Sequence, residues 1–577
     1  MPSEKPKRIL YHGPTSRSFE GLARSVAAAT ASGPFDGGAE ITVLHEGQAC
    51  TLVDRPGRDA LVEDLRTSYV NLLVLDTRCD NEAAPGEHAL EILDALDKVL
   101  DVEDRYGFHR ILVLVGGGAE SSTDDLILKL GARGVGRVLR HPECHGPEAV
   151  DPAFGKKFLQ EARLALGDRK PGKRAICAAG GGITGIFFEL GVLKCLDDCL
   201  DAGGVNDFDM YFGISAGAVV TGPISVGYSV DEFMAAVAGV PGGRIEPLDL
   251  RLFQLGHVDF PGFARRWGAA ARSMWGGFTR RLRRGEDLSR EQLLFDYVDL
   301  VAPPFRADRF EETLARILSA KNATNDFRDL DRPLFVGATD QDERRHVLFG
   351  DEEHRHVPIS RAIQASLSIN PAFSATPILG RYYEDGAVTR TSNFVEAMRR
   401  GSTLIFVVDP FLPYVARTPG FNDRRGALYN MDQDVRTISY TRYETTRNWV
   451  LRKHPHVSSY TFVPANRQRR LISQNPMDHR PYLEIWRGAY LSTLKRLSHV
   501  SHRLEGDLRV HGFGMDLSRA EAVAEQLEGA RALSFADFFP DRRARIKTPP
   551  LVGQRRLPAA APNPLIAART EIAALAR

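Results

Sequence analysis

Cysteine is scarce in this chain of 577 residues. The six present are Cys50, Cys79, Cys144, Cys177, Cys195 and Cys199, and none forms a C-x-x-C pair. That scarcity speaks against a disulfide framework or a thiolate metal site and fits a reducing compartment. Cys195 and Cys199 stand four apart in a helical pattern, so they share a face and read as packed free thiols. Long hydrophobic runs are lacking too: nothing approaches the roughly 18 apolar residues of a membrane span. The opening MPSEKPKRIL is polar, with no apolar signal region. The expected location is therefore cytoplasmic, with a peripheral position at the inner membrane face left open. Nor does one sign of charge prevail, since 75 basic side chains face 74 acidic ones and the net charge is +1. Nucleic acid as a partner gets no support from that balance. With 43% hydrophobic and 26% charged residues, the composition is that of a globular protein long enough for about two or three domains.

Strand and helix patterns alternate through residues 1–166, predicting a smaller doubly wound parallel-sheet domain. RILYHG, AEITVLHEG, YVNLLVLD, RILVLVGGG and GRVLRHP read as strands, with helical runs such as SFEGLARSVAAAT and RDALVEDLRTS between them. The order resembles a response-regulator receiver domain. Asp76 falls where the phosphoacceptor of a receiver would be. However, His12 and Gly13 stand where an acidic pair is expected, Gly116 replaces a hydroxyl residue and His141 a lysine. Without the acidic pair no Mg²⁺ site is expected. Asp76 reads as a solvated strand-end carboxylate, and the module as regulatory or structural, its partner unspecified.

A charged linker, GDRKPGKR, leads to a second α/β unit expected over residues 173–500. Residues 229–331 read as a helical insertion. Strand patterns return at PLFVGATD, RYYEDGA and TLIFVVDP. Residues 501–577 form a C-terminal extension with one helical pattern, SRAEAVAEQLEGARAL, and a Pro/Ala/Arg-rich tail expected to be partly disordered.

The chemistry sits in the second unit. CAAGGGITGIFFELGVL holds G-x-G-x-x-G between a strand and a helix, and backbone N–H groups of Gly180, Gly181 and Gly182 at a helix start make an anion site. A dinucleotide would need a carboxylate about 20 residues on, and Asp207 and Asp209 are near that spacing. The strand they lead into ends instead in Gly213-Ile214-Ser215-Ala216-Gly217. This is G-x-S-x-G between an apolar strand and a helix start, the setting of a nucleophile elbow. The glycines then serve a transient oxyanion together with the Ala216 N–H. Downstream, Asp385-Gly386-Ala387 closes a short strand pattern.

G-G-G-x-x-G, G-x-S-x-G and D-G-A in this order resemble the patatin-like phospholipase family, over Lys173 to Phe411 and on through LISQNPMDHRPYLEIWRGAYLSTLKRL. The resemblance implies a three-layer α/β/α hydrolase domain. It implies Ser215 as nucleophile, Asp385 as the base of a Ser–Asp dyad, and an oxyanion hole from Gly181 and Gly182 with Ala216. Gly185, Gly213, Gly217, Gly386 and Ala387 support the motifs. The implied substrate is a phospholipid or lysophospholipid, with no metal or organic cofactor. Thr184 departs from the family, which often carries Arg or Lys there, and this puts head-group preference in question. Three alternatives stay open: a catalytically inactive lipid-binding regulator, a Ser-Asp-His esterase and a nucleotide-binding oxidoreductase. The histidines after Asp385 (His454, His456, His479, His499, His502 and His511) sit in no distinctive context and read as surface or polar-network residues. Asp36-Gly37-Gly38 and Gly116-Gly117-Gly118 read as loop turns.

Phe263 to Gly285 carries seven arginines, no acid and two of the four tryptophans. On a helical wheel Phe263, Trp267, Met274 and Phe278 share a side, with Arg265, Arg272 and Arg283 opposite and Arg281 intruding on the apolar side. Gly276-Gly277 marks a point where the helix would break. The segment reads either as a cap helix packed on the domain or as an interfacial contact with anionic lipid through Trp267, Arg272, Trp275, Arg280 and Arg281.

Overall fold

The computed structural model describes residues 6–554 except 14, 31–32, 46, 68–69, 79–85, 98–107, 117–119, 142–149, 167–169, 202–203, 249, 251–259, 285–302, 304, 371, 455 and 540–545. The expected tail beyond 554 and residues 167–169 of the linker lie outside the described residues.

The first sheet has six strands: β1 (Lys7–His12), β2 (Glu40–His45), β3 (Gln48–Asp54), β4 (Leu72–Asp76), β5 (Ile111–Val115) and β6 (Arg137–Arg140). Their order is β2-β3-β1-β4-β5-β6. Helices α1 (Ser16–Ala29) and α5 (Pro152–Leu166) cover one face. Helices α2 (Arg58–Thr67), α3 (Glu87–Asp97) and α4 (Glu120–Ala132) cover the other. The strands LLVLD and ILVLV are apolar throughout because side chains alternate between two buried faces. Leu73 and Leu75 enter one core, Leu72 and Val74 the other.

Two sequence expectations change here. The segment expected to give one strand between the first two helices gives an antiparallel hairpin, β2 on β3, turned at Gly47 with φ 82°. The sheet is parallel apart from this edge. The second arm, QACTLVD, has too few β-branched or aromatic residues to announce itself as a strand. Asp76, read as solvated, is fully buried. Arg78, two residues on, grips its carboxylate through Nε at 2.9 Å and Nη2 at 2.7 Å, and Tyr11 donates a 2.5 Å hydrogen bond. Burial, then the Asp76 charge, pushes the Tyr11 hydroxyl well above its ordinary range.

The second sheet contains β7 (Lys173–Ala178), β8 (Met210–Ile214), β9 (Leu334–Asp340), β10 (Arg345–Phe349), β11 (Thr376–Ile378), β12 (Arg381–Asp385), β13 (Ser402–Val408) and β14 (Ser458–Phe462). They run β11-β12-β9-β8-β7-β13-β14, with β10 on β9. One face packs against α6 (Gly182–Cys199), α7 (Ala216–Val226), α8 (Val230–Val237), α10 (Asp308–Leu318), α11 (Ile359–Ser366) and α15 (Tyr482–Val510). The other carries α12 (Phe394–Arg399) and α13 (Ala427–Lys453). This is a three-layer α/β/α arrangement following the smaller sheet domain. Helix α6 is buried on every side, since α15 crosses it where Gly191 meets Trp486 and Ala489. Helices α14 (Asn466–Gln474) and α16 (Ser518–Gly529) complete the unit. Helix α13 also reaches the first domain, where Arg452 Nη1 donates to the Gly134 carbonyl at 3.5 Å.

The arginine-rich segment forms one 25-residue helix, α9 (Phe260–Arg284), which passes unbroken through Gly276-Gly277. Phe260, Trp267 and Trp275 are 62%, 49% and 67% exposed, and Met274 is half-buried. Arg272 and Arg280 are exposed; the Phe263, Phe278 and Arg281 side chains lie outside the described residues. Among the described residues no helix is long and apolar enough to cross a membrane.

Replacing Arg78 by Met leaves a buried carboxylate without its countercharge, a loss of about 3–5 kcal/mol. Amide hydrogen exchange in β1 and β4 should accelerate in Arg78→Met and slow again in Arg78→Met/Asp76→Asn. Unchanged exchange in the single variant would refute the ion pair's role.

Candidate active site

Strand β9 brings the two central side chains together. Along one edge, Ile214 of β8 pairs with Gly337, and Asp385 of β12 pairs with the next residue, Ala338. Since β10 occupies the opposite edge over the same residues, β8 and β12 meet end to end. The residue after Ile214 is Ser215, so register alone sets it beside Asp385.

Ser215 joins β8 to α7 with φ 53° and ψ −118°, a backbone region costly for a residue with a side chain. The surroundings fix it there. Its N–H donates to Ser366 Oγ at 2.8 Å, and that hydroxyl donates to the Gly337 carbonyl at 2.6 Å. The turn is tight on both sides: a Cβ on Gly213 would stand 2.4 Å from Ala218 Cα, and one on Gly217 would stand 2.3 Å from the Ala178 carbonyl oxygen. The G-x-S-x-G spacing thus answers a steric demand.

The glycine run lies between β7 and α6, facing the elbow. A Cβ built on Gly180 would be 3.4 Å from Ser215 Cβ and 3.6 Å from Ala387 Cβ. Gly182 takes φ 66° with the Pro476 carbonyl against it, and Gly181 lies against Pro410. Gly185 sits in the first turn of α6 beside Ala216. Thr184 is fully buried. Its N–H donates to the Pro476 carbonyl and its hydroxyl to the Ile472 carbonyl, both at 3.1 Å. Where a basic residue was looked for, this chain has a clamp that ties the loop to the segment after α14.

Asp385 is 2% exposed. Its carboxylate accepts a 2.8 Å hydrogen bond from the Ala387 N–H, and the nearby Ser215 hydroxyl favours its charged form. Burial pushes this carboxyl up to about 7, against the opposing pull of the Ala387 N–H and the Ser215 hydroxyl. Gly386 lets the chain pass over the Gly337 carbonyl. The Asp385 carbonyl accepts from Thr339 Oγ1 at 3.0 Å, which meets Thr389, then His346, then Asn393. Burial, with Arg390 adding to it, holds His346 down at about 4, so its ring is neutral near pH 7. Sequence reading passed over Ser366, Thr339 and His346. Their only signal would have been register opposite the elbow, which a single sequence does not display.

The carboxylates needed by the dinucleotide reading are elsewhere. Asp209 pairs with Arg174 at the start of β7, and Asp207 pairs with Arg332. Both lie at the strand ends opposite the glycine run. His511 is held at that same end by Thr403.

A strained serine elbow, a glycine cradle and a buried carboxylate beside the serine stand together in an α/β/α layer, with the parts a hydroxyl nucleophile needs. Residues 176–398 match the family model described as patatin-like phospholipase, so the second sheet carries a patatin-like domain. A cUMP-AMP-activated phospholipase from Escherichia coli is 40% identical over 62 residues, covering 11% of this chain and 19% of that protein. The matched stretch is thus about a fifth of the curated relative's length. VipD from Legionella pneumophila aligns with a TM-score of 0.24 and 15% identity, over 45% of this chain and 53% of its own.

The Asp385 carboxyl sits above its ordinary range in the folded protein, so folding favours its protonated form. That contribution is complete below the unfolded value near 3.8 and is lost as pH rises through about 7. Asp385→Asn should match wild type in thermal midpoint at pH 4 and exceed it at pH 8. A constant difference across that range would show that the carboxyl is not burdened by burial.

Proposed function

We propose that this chain is a lipid acyl hydrolase of the phospholipase A or lysophospholipase type. The observation that carries the reading is the placement of strained Ser215 beside a buried carboxylate raised to about 7. A serine hydroxyl is a poor nucleophile unless a base takes its proton, and a base works best with a pKa near the working pH. Asp385 meets that need. Ser215 Oγ attacks the ester carbonyl and its proton passes to Asp385. Negative charge on the carbonyl oxygen is held by N–H groups from Gly180, Gly181, Gly182 and Ala216. The alcohol or lysolipid leaves with the proton. Water, deprotonated by Asp385, then releases the fatty acid from Ser215. No step calls for a metal or an organic cofactor. The family match and the phospholipase relative support a phospholipid ester as substrate.

The same reading assigns residues 1–166 to a regulatory module, 173–500 to the hydrolase with its insertion at 229–331, and 501–577 to an extension. It makes α9 the lipid contact. Trp267 and Trp275 stand exposed beside Arg272 and Arg280 on a helix with seven arginines and no acid, which suits an anionic bilayer surface at the cytoplasmic face.

Fatty-acid release from mixed phospholipid vesicles tests the proposal. Ser215→Ala and Asp385→Ala should each lose activity by about a thousandfold or more, and kcat/KM should climb with pH through about 7. Retained turnover in Ser215→Ala would end the reading. If wild type is silent and a fluorophosphonate probe also fails to label Ser215, the chain is instead a lipid-binding regulator. For α9, Trp267→Ala/Trp275→Ala should weaken vesicle binding while sparing hydrolysis of a soluble short-chain ester; equal vesicle binding would remove this helix from the interface.

A further inference from the structure

Behind the Asp385 turn lies a cavity of about 260 Å³, between the loop that follows β12 and helix α13. Four arginines line it: Arg390, Arg399, Arg442 and Arg447. The one carboxylate in the lining, Glu396, is engaged by Arg399 at 2.9 Å and by Arg400 at 3.0 Å. Arg390, Arg442 and Arg447 therefore face the cavity with no acid of its lining left for them. Arg442 spends its donors on carbonyls, reaching Val388 at 3.2 Å and Ala387 at 3.3 Å. Arg447 Nη2 donates to the Ser459 carbonyl at 3.1 Å. Each wall also keeps a spare donor: Ser392 Oγ on the loop and Arg447 Nε on the helix are buried without a hydrogen-bond partner among the described residues.

Arg390 and Arg399 are exposed and Arg442 and Arg447 half-buried, so like charges gather around this cavity while keeping contact with water. Here the Arg442 guanidinium is pushed below its ordinary range by burial and by the neighbouring Arg390 charge. His346, behind the same wall, is driven neutral by burial and by Arg390, so it adds no further positive charge. Cations held close together with donors to spare are the chemistry of an anion site, and planar guanidinium forks suit a tetrahedral oxyanion.

We infer that this cavity binds a phosphate group through Arg390, Arg447 and Ser392, with the Arg442 charge beside it. Trp449, 49% exposed in the lining, leaves room for an apolar remainder of the ligand. The site is separate from Ser215 but shares a wall with the turn that carries Asp385, because Arg442 touches both. The phosphate comes either with a small soluble phosphomonoester or with a lipid head group.

The test measures binding and needs no turnover, so it stands apart from the proposed hydrolase activity. Equilibrium dialysis of the full chain against labelled inorganic phosphate should show one saturable, salt-sensitive site. Arg390→Gln/Arg447→Gln should weaken it at least about tenfold, the scale of a lost charge-assisted hydrogen bond. Ser392→Ala, a milder change, should weaken it about threefold while phosphate-free thermal midpoints stay at the wild-type value. Absence of a saturable site in wild type, or equal affinity in both variants, overturns the inference. Displacement of the label by glycerol 3-phosphate supports it and names a soluble ligand. Displacement by phosphatidylglycerol vesicles alone supports it and names a head group. Displacement by neither overturns it.

Discussion

One edge of strand β9 governs the site. Gly337 and Ala338 are neighbours in the chain, and each pairs with a different strand end, one leading to Ser215 and the other ending in Asp385. A one-residue slip in either pairing would turn every side chain of that strand to the opposite face. The same residues do further work: the Gly337 carbonyl takes the Ser366 hydroxyl that holds the elbow, and Thr339 holds the Asp385 carbonyl. Positioning the two groups and relieving the strain of the elbow are therefore one set of hydrogen bonds.

Two carboxyls with no part in the proposed reaction lie buried near the glycine run. Glu189 is completely buried on α6, and burial followed by the nearby Asp409 raises its carboxyl well above the ordinary range. Asp409 is itself raised to about 6 by burial, in spite of the Phe411 N–H and the charges of Arg436 and Arg469. Pro410, next in the chain, packs against Gly181. A carboxyl in such a place lowers its cost by taking up a proton, so these groups resemble Asp385 in their electrostatics while lacking its access to a hydroxyl nucleophile.

The motifs were legible in the sequence because each answers a local steric demand. Gly213 and Gly217 have no space for a Cβ, Gly182 needs a left-handed backbone, and Ser215 needs a strand before it and a helix after it. The alternation of strand and helix patterns was legible for a similar reason, since a strand buried on both faces is apolar throughout. What stayed hidden depends on register and on partners distant in the chain. QACTLVD becomes a strand by pairing with β1 and β2, Asp76 becomes buried because Arg78 neutralises it, and Thr184 finds its acceptor at Ile472. The glycine pair in α9 misled for the opposite reason: propensity against helix is worth only about 1 kcal/mol per glycine, too little to interrupt a long helix.

Helix α13 holds Arg442 at the Asp385 turn and, ten residues on, Arg452 at the Gly134 carbonyl of the first domain. Between Ala427 and Lys453 it contains neither proline nor glycine, so it has no joint. At 1.5 Å per residue the two contacts are about 15 Å apart along a single rod. A rod of that kind cannot absorb a displacement at one end. The same rod therefore carries a contact with the first domain at one point and with the Ala387 and Val388 carbonyls at another.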